Sequence, residues 1–218
     1  MLRDRWALMA LAFVWLLLEG WAVAVVADES VFSLADRGNA IVGEQLTESE
    51  RCQECHGKAG ISADAKIPNH AGQHAVYLIK QLQAFRAGER HHDIMNRMAE
   101  DLTDQDIADI AAYFSAQPPI RNEGGTVKNA TVALFRQGDK ARSIDACASC
   151  HGDQGQGKIE NGVVYPRIGG QRPIYLSGQL VSWKLGDRHN SPAGVMNQIA
   201  RNLTDDEIDA LAGYIAGL

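Results

Sequence analysis

The sequence has little positive charge and no convincing strand pattern. Its 21 lysines and arginines are outnumbered by 27 aspartates and glutamates, which gives a formal net charge of −6. A nucleic-acid-binding domain needs a basic stripe, so this balance argues against nucleic acid as a partner. Mild acidity suits a protein partner with a basic docking patch, and it also keeps an exported protein soluble. No segment alternates apolar and polar residues as a strand does, so we predict an all-α fold.

The chain has only four cysteines, and all of them fall in two C-x-x-C-H pentapeptides. The residues are Cys52, Cys55 and His56 in the first motif and Cys147, Cys150 and His151 in the second. C-x-x-C-H is the attachment signature of c-type haem. Its spacing lets both thiols add to the haem vinyl groups, while the adjoining histidine is directed at the iron. We therefore predict two covalent haem c groups, with the two histidines as proximal iron ligands.

Other sites built on C-x-x-C pairs are weaker interpretations of these motifs. A dithiol redox centre wants a strand before the motif, and residues 46–50 and 143–146 show no strand pattern. A single zinc shared by both pairs would join segments that lie 95 positions apart. It would also leave the following histidine unexplained twice. Disulfides within the pairs are the remaining alternative.

The first 27 residues have the pattern of a targeting segment. Two arginines precede an apolar stretch over 6–18, and small residues at 25–27 form a cleavage site. We predict a signal peptide over 1–27, export, and a periplasmic location. The alternative is a retained anchor, because residues 6–27 number 22, enough to cross a bilayer and tether the protein to the inner membrane.

The two motifs begin a repeat that covers nearly all of the remaining chain. Matched residues lie 95 positions apart at the motifs, 98 apart in the middle and 101 apart near the end. The matched pairs include Pro68 and Pro166, Gln73 and Gln171, Tyr77 and Tyr175, Gln81 and Gln179, and Arg90 and Arg188. Loops of a duplicated fold tolerate such length differences. With proline and glycine breakers between the copies, we predict domains over 28–120 and 128–218, joined by a linker over 121–127.

Each copy is predicted to consist of short helices joined by long loops. The last helix of each copy opens at a threonine cap, Thr103 or Thr204, with an acidic residue three positions later. A middle helix is expected over 73–87, and its counterpart from Pro173 to a stop at Gly186. About 90 residues with many loops form only a modest core. We therefore expect haem to complete each core, and the haem-free protein to be largely unfolded.

The second iron ligand is predicted to be Met95 in the first copy and Met196 in the second. These are the only methionines that the repeat pairs, and each is expected in a loop before the last helix. An axial methionine favours ferrous iron and raises the potential relative to histidine. Met98 is a substitute in the first copy. His91 and His189 are also a matched pair, so a site with two histidine ligands stays open.

The combined motifs resemble those of the diheme cytochromes of the c4 type. The resemblance rests on the two C-x-x-C-H motifs, on Ala-Gly-Gln and Gly-Gly-Gln turns that each lead into Tyr-Leu-x-x-Gln-Leu, and on a methionine before each Leu-Thr-Asp. It covers about residues 35–218 and implies two class I cytochrome c domains packed with approximate two-fold symmetry. It also implies that the carbonyls of Pro68 and Pro166 accept a hydrogen bond from the proximal histidines and orient them.

The function that this resemblance implies is electron transfer and not catalysis. We expect a carrier of single electrons between a quinol-oxidising complex and a terminal oxidase. The alternative is a diheme electron-accepting subunit of a periplasmic dehydrogenase, such as a flavocytochrome sulfide dehydrogenase. A diheme peroxidase is a weaker interpretation, because it needs one iron open to peroxide and both copies have a candidate methionine ligand.

Overall fold

The computed structural model describes residues 26–122 and 128–218. The first of these segments contains α1 Val26–Ala35, α2 Ala40–Ser49, α3 Cys52–His56, α4 Ala75–Arg86, α5 Asp93–Ala99 and α6 Asp104–Ser115. The second contains α7 Asn129–Gln137, α8 Cys147–His151, β1 Lys158–Glu160, β2 Val163–Tyr165, α9 Pro173–Leu185, α10 Val195–Arg201 and α11 Asp205–Ala216. The predicted all-α class is confirmed. None of the helices in these two segments is long and apolar enough to cross a bilayer.

A short antiparallel hairpin in the second half was not predicted. Strands β1 and β2 pair Lys158 with Tyr165 and Glu160 with Val163. The two residues between them, Asn161 and Gly162, have φ angles of 50° and 74°. Asn-Gly is the preferred sequence for a two-residue turn of this kind, because both positions need positive φ. The signal was therefore present, but three-residue strands are too short to show alternation.

The predicted helix boundaries of the repeat agree closely with the structure. Thr103 and Thr204 cap α6 and α11, and both form the full capping box with an acidic residue three positions on. Helices α4 and α9 occupy the predicted middle positions. α9 has Pro173 in its first turn and ends at Gly186, whose φ of 90° suits glycine. Capping and periodicity therefore determine these helices locally.

Each half has its own apolar core. The core of the first half includes the buried residues Leu34, Leu78, Ile79, Ile107, Ile110 and Phe114. That of the second half includes Leu134, Phe135, Ile144, Leu176, Ile208 and Leu211. Helix α1 contributes Leu34 to the first core. In the first half α2 also crosses α6 closely, since a Cβ atom on Gly43 would collide with the carbonyl of Asp109.

The predicted leader and linker fall mostly outside the described residues. Of residues 1–27 only the last two are described, and they lie in α1, which begins at Val26. The helix therefore runs through the predicted cleavage point after Ala27. Of the linker over 121–127, only residues 121 and 122 are described.

Candidate haem sites

The two C-x-x-C-H motifs form one-turn helices. Helix α3 consists of the first pentapeptide and α8 of the second. Residues three apart on a helix share a face, so both thiols of each motif lie on one side of its turn. Glycine ends each turn, at Gly57 and Gly152, with φ angles of 80° and 81°. A side chain at Gly57 would be strained by this φ and would collide with the Ile61 carbonyl.

The thiols do not have the properties of a redox dithiol. All four cysteines are free. Burial raises the pKa of the Cys52 and Cys147 thiols to about 11. Catalytic dithiols instead need a thiolate with a lowered pKa. The first cysteine of each motif packs against the apolar core of its half, which suits attachment to an apolar ring.

Both motif histidines are held by a proline carbonyl. His56 Nδ1 donates to the Pro68 oxygen over 2.9 Å, and His151 Nδ1 donates to the Pro166 oxygen over 2.9 Å. Because a carbonyl only accepts, Nδ1 carries the ring proton and Nε2 keeps its lone pair. Burial also lowers the pKa of both histidines, although the proline carbonyls oppose it. A neutral imidazole with a free Nε2 is the form that ligates iron.

The surroundings of the two histidines differ. The ring of His70 stacks on His56 with 4.1 Å between centroids, and Phe114 lies 5.3 Å from His70. The matched position in the second half is Ile168, which is partly buried and packs against the second core. Burial holds the pKa of His70 well below its ordinary value, so it is a neutral neighbour of His56. The place of His70 two residues after Pro68 brings it to the site.

The expectation that the candidate methionines lie in loops was wrong. Met95 lies inside α5 and Met196 inside α10. Side chains at the start of each segment supply acceptors for their amides: the Met95 N–H donates to His92 Nδ1, and the Met196 N–H to Ser191 Oγ. In α5 this contact is the N-cap, and it stabilises a short helix that has no long apolar pattern.

The residue after each methionine is anchored in the same way in both halves. Asn96 Nδ2 donates to the carbonyls of Phe85 (2.7 Å) and Arg90 (2.9 Å). Asn197 Nδ2 donates to those of Trp183 and Arg188, both over 2.8 Å. The two methionines, both half-buried, therefore occupy equivalent positions against α4 and α9.

Two buried guanidinium groups lie where the halves meet. Arg90 and Arg188 are 8 % and 7 % exposed. Their side-chain hydrogen-bond partners are the neutral groups of Gln81, Gln179, Tyr77, Tyr175 and Asn190. Within the described residues no carboxylate forms an ion pair with either.

Buried cations need anionic partners, and haem propionates are anions of this kind. Burial would raise the pKa of Tyr77, but the positive charges of Arg188 and Arg90 outweigh it and lower that pKa. The region around Arg90 and Arg188 is therefore short of negative charge, which haem propionates would supply. The free Nε2 atoms of the two motif histidines fit the iron.

Comparison with known proteins agrees with this geometry. The family model described as "Cytochrome c" matches residues 40–117 and 136–218. Cytochrome c4 from Pseudomonas aeruginosa is 36% identical over 185 residues, which cover 83% of this chain and 89% of that protein. The "Thiosulfate dehydrogenase electron acceptor" of Stutzerimonas stutzeri is 37% identical over 174 residues, 77% of this chain and 78% of that protein. Among solved structures, reduced recombinant cytochrome c4 from Pseudomonas stutzeri has a TM-score of 0.77 at 35% identity, covering 83% of this chain and 99% of that one.

These matches include both copies of the repeat. Two tandem cytochrome c domains with c4 relatives over most of their length imply two covalently bound haem c groups. They also make the protein an electron carrier and not an enzyme. The chain belongs to the cytochrome c family, as a two-domain member of the c4 type.

Proposed function

We propose that this chain is an exported, periplasmic diheme carrier that passes single electrons along a respiratory chain towards a terminal oxidase. The observation that carries the proposal is the repeated histidine geometry. Both halves hold a neutral imidazole with Nδ1 on a proline carbonyl at 2.9 Å. Two sites with the same histidine geometry suit electron transfer at both of them better than catalysis at one.

The chain's own residues divide the work in the same way at each site. Cys52 and Cys55 in the first domain, and Cys147 and Cys150 in the second, provide the covalent anchors. His56 and His151 would ligate the iron from one side, oriented by Pro68 and Pro166. Met95 and Met196 would supply the second ligand, each followed by an asparagine that anchors its helix. When bound, haem supplies a reversible one-electron couple, and a methionine ligand raises its potential.

Redox titration of the haem-loaded protein tests the ligand assignment. We expect two high-potential waves, and a near-infrared or magnetic circular dichroism signature of methionine bound to ferric iron. Met95→His and Met196→His should each lower one wave and leave the other in place. Met98→Leu is the matched control and should move neither. Spectra of low-spin iron with two histidine ligands in both domains of the unaltered protein would refute the assignment.

A second candidate function is the electron acceptor of a periplasmic dehydrogenase. The observation that favours it is the 37% identical relative described as a thiosulfate dehydrogenase electron acceptor. A flavocytochrome sulfide dehydrogenase subunit belongs to the same class. In this case the chain would take electrons from one enzyme before passing them on.

Pull-down of the tagged protein from native membranes separates the two functions. Recovery with an oxidase, and oxidation of the reduced protein by that oxidase, support the respiratory carrier. Recovery with a dehydrogenase, and reduction by that enzyme's substrate, support the second candidate. A co-purified flavin subunit would indicate a flavocytochrome.

A further inference from the structure

The loop behind each proximal histidine is held by a glutamine from the other half. Asn69 directly follows Pro68 in the first half. Its N–H donates to Gln171 Oε1 over 2.7 Å, and Gln171 Nε2 donates back to the Asn69 carbonyl over 2.9 Å. One carboxamide from the second half therefore satisfies both backbone groups of Asn69, as a neighbouring strand would.

The same arrangement occurs in the opposite direction. Arg167 follows Pro166 in the second half, and its N–H donates to Oε1 of Gln73 over 2.9 Å. Gln73 Nε2 donates back to the Arg167 carbonyl over 2.8 Å. We call the two sets of contacts the glutamine clamps, Gln171 on Asn69 and Gln73 on Arg167.

A third pair of hydrogen bonds completes the symmetry even though the side chains differ. Asn69 Nδ2 donates to the Gly170 carbonyl, and Arg167 Nε donates to the Gly72 carbonyl, both over 3.1 Å. An asparagine and an arginine thus make equivalent contacts at matched positions. The pattern belongs to the interface and does not depend on one residue type.

The clamps lie in a region where an unpaired polar group is costly. Gln73 and Gln171 are 6 % and 8 % exposed, and Asn69 is 7 % exposed. Removing the Gln171 clamp leaves the buried N–H and carbonyl of Asn69 without these partners, and removing the Gln73 clamp does the same to the partly buried groups of Arg167. An unpaired buried group costs more than the net value of an exposed hydrogen bond. Each clamp therefore restrains the position of one loop residue strongly.

We propose that Gln171 and Gln73 are positioning residues that act across the domain interface: each fixes the proline carbonyl that orients the proximal histidine of the other domain. The inference rests on the proposed function, in which His56 and His151 ligate iron. A hydrogen bond at Nδ1 makes the imidazole a stronger donor and favours ferric iron. Each domain thereby influences the reduction potential of the haem in its neighbour.

The test uses Gln171→Leu and Gln73→Leu in the haem-loaded protein with ¹⁵N-labelled histidine. Solvent exchange of each Nδ1 proton is measured by NMR in the reduced state, and both midpoint potentials are titrated. Gln171→Leu should speed exchange at His56 by at least about fivefold, the factor for one ordinary hydrogen bond. It should also raise the first-domain potential and leave His151 unchanged. Gln73→Leu should give the reverse pattern.

Asn122→Ala is the control, because it removes a different long-range hydrogen bond to the second half, from Nδ2 of the linker residue Asn122 to the Ala216 carbonyl. It should change neither exchange rate. Effects confined to each glutamine's own domain, or equal effects at both histidines, would overturn the proposal. Should the leucine variants not fold, Gln171→Glu and Gln73→Glu keep an acceptor oxygen and remove the donated bond. Because the carboxylate adds a charge that itself shifts potentials, only the Nδ1 exchange rates of the two histidines are compared in these variants. They should show the same crossed pattern at smaller size, and a pattern that is not crossed would again refute it.

A wrong ligand set and an inactive clamp give different results. The Met95→His and Met196→His variants assign each wave to a domain, and if neither moves a wave the proposed ligand set is wrong. If they do move the waves while the glutamine variants give no crossed pattern, only the clamp inference is wrong.

Discussion

The segments that precede the motif helix differ between the two halves of the molecule. In the first half α2 continues to Ser49, and the chain enters α3 through Arg51, which has a left-handed φ of 60°. In the second half α7 ends before Gly138, and an isolated bridge between Asp139 and Ile144 precedes α8. Yet the histidine-to-proline contact measures 2.9 Å in both.

The difference between these segments shows that the two halves need to match at their interface and not before the motifs. The contacts that face the other domain follow the same pattern in both halves, in the glutamine clamps and in the paired arginines. The segments before the motifs, away from this interface, do not. One helix, α7, precedes the second motif, where α1 and α2 precede the first. In the second half Arg142 contacts Glu207 at 2.7 and 3.0 Å and Asp139 at 2.7 Å. Ion pairs therefore hold the loop before α8 against α11, whereas in the first half α2 packs closely against α6.

Removal of one haem anchor should produce the largest difference between the two domains. Replacing Cys52 and Cys55 by alanine, or Cys147 and Cys150, should remove one haem and unfold much of that domain, because each core is small. The second-motif change should cost more helicity, since α1 adds Leu34 to the first core. Pyridine haemochrome analysis and circular dichroism measure both effects. Full native helicity without the haem would contradict the expectation.

The ion pair of Glu207 with Arg142 should make the second domain more sensitive to acid. Hydrogen bonds from Arg142 lower the pKa of Glu207 from an ordinary 4.5 to about 2. The ionised carboxylate therefore stabilises the folded domain above pH 4.5, and this stabilisation is lost as the pH falls towards 2. Glu207→Gln should destabilise α11 at pH 7 and much less at pH 2.5, measured by amide exchange. Asp106→Asn is the matched change in the first domain, and it should lack the loss of stability that comes from breaking the pair with Arg142. Equal effects in both domains would contradict the role of the ion pair.

Loss of the threonine caps should produce a smaller difference in stability between the two domains. Thr103→Ala removes a cap worth about 1 kcal/mol from α6. Thr204→Ala should cost less, because Glu207 stays fixed by Arg142 when its threonine partner is gone. Amide exchange in the first turns of α6 and α11 measures the difference. A larger loss in α11 would show that the ion pair depends on the cap.

The smallest expected effect concerns His70 and Ile168. His70→Ile removes a polar ring from the stack on His56 and should raise the first-domain potential, because an apolar neighbour disfavours the more charged ferric site. Ile168→His should lower the second-domain potential. Each shift should stay below about 59 mV, the value for a tenfold change in a one-electron equilibrium. Shifts in the opposite directions would exclude polarity as the cause.

Local features of the fold were predictable from the sequence. The capping boxes at Thr103 and Thr204, and the bounds of α4 and α9, depend on residues within a few positions of each other. The hairpin could also have been found, from Asn161-Gly162. Local chemistry determines all of these elements.

Contacts between distant residues were not predictable. The repeat showed that Gln73 and Gln171 correspond, but their partners, Arg167 and Asn69, are matched residues of the opposite half. Their hydrogen bonds join positions 94 and 102 residues apart. The position of His70 against His56 likewise depends on how the loop after the motif folds back. No local pattern carries such information.

The crossed contacts between the halves form an isologous interface: each side presents the same patch to the other. An interface of this kind would also close between two identical copies of a single domain. Joining the copies in one chain makes the association intramolecular, and independent of protein concentration. Once fused, the copies no longer have to change together. One copy can have Ile168 where the other has His70. The reduction potentials of two equivalent haem sites can then be set separately.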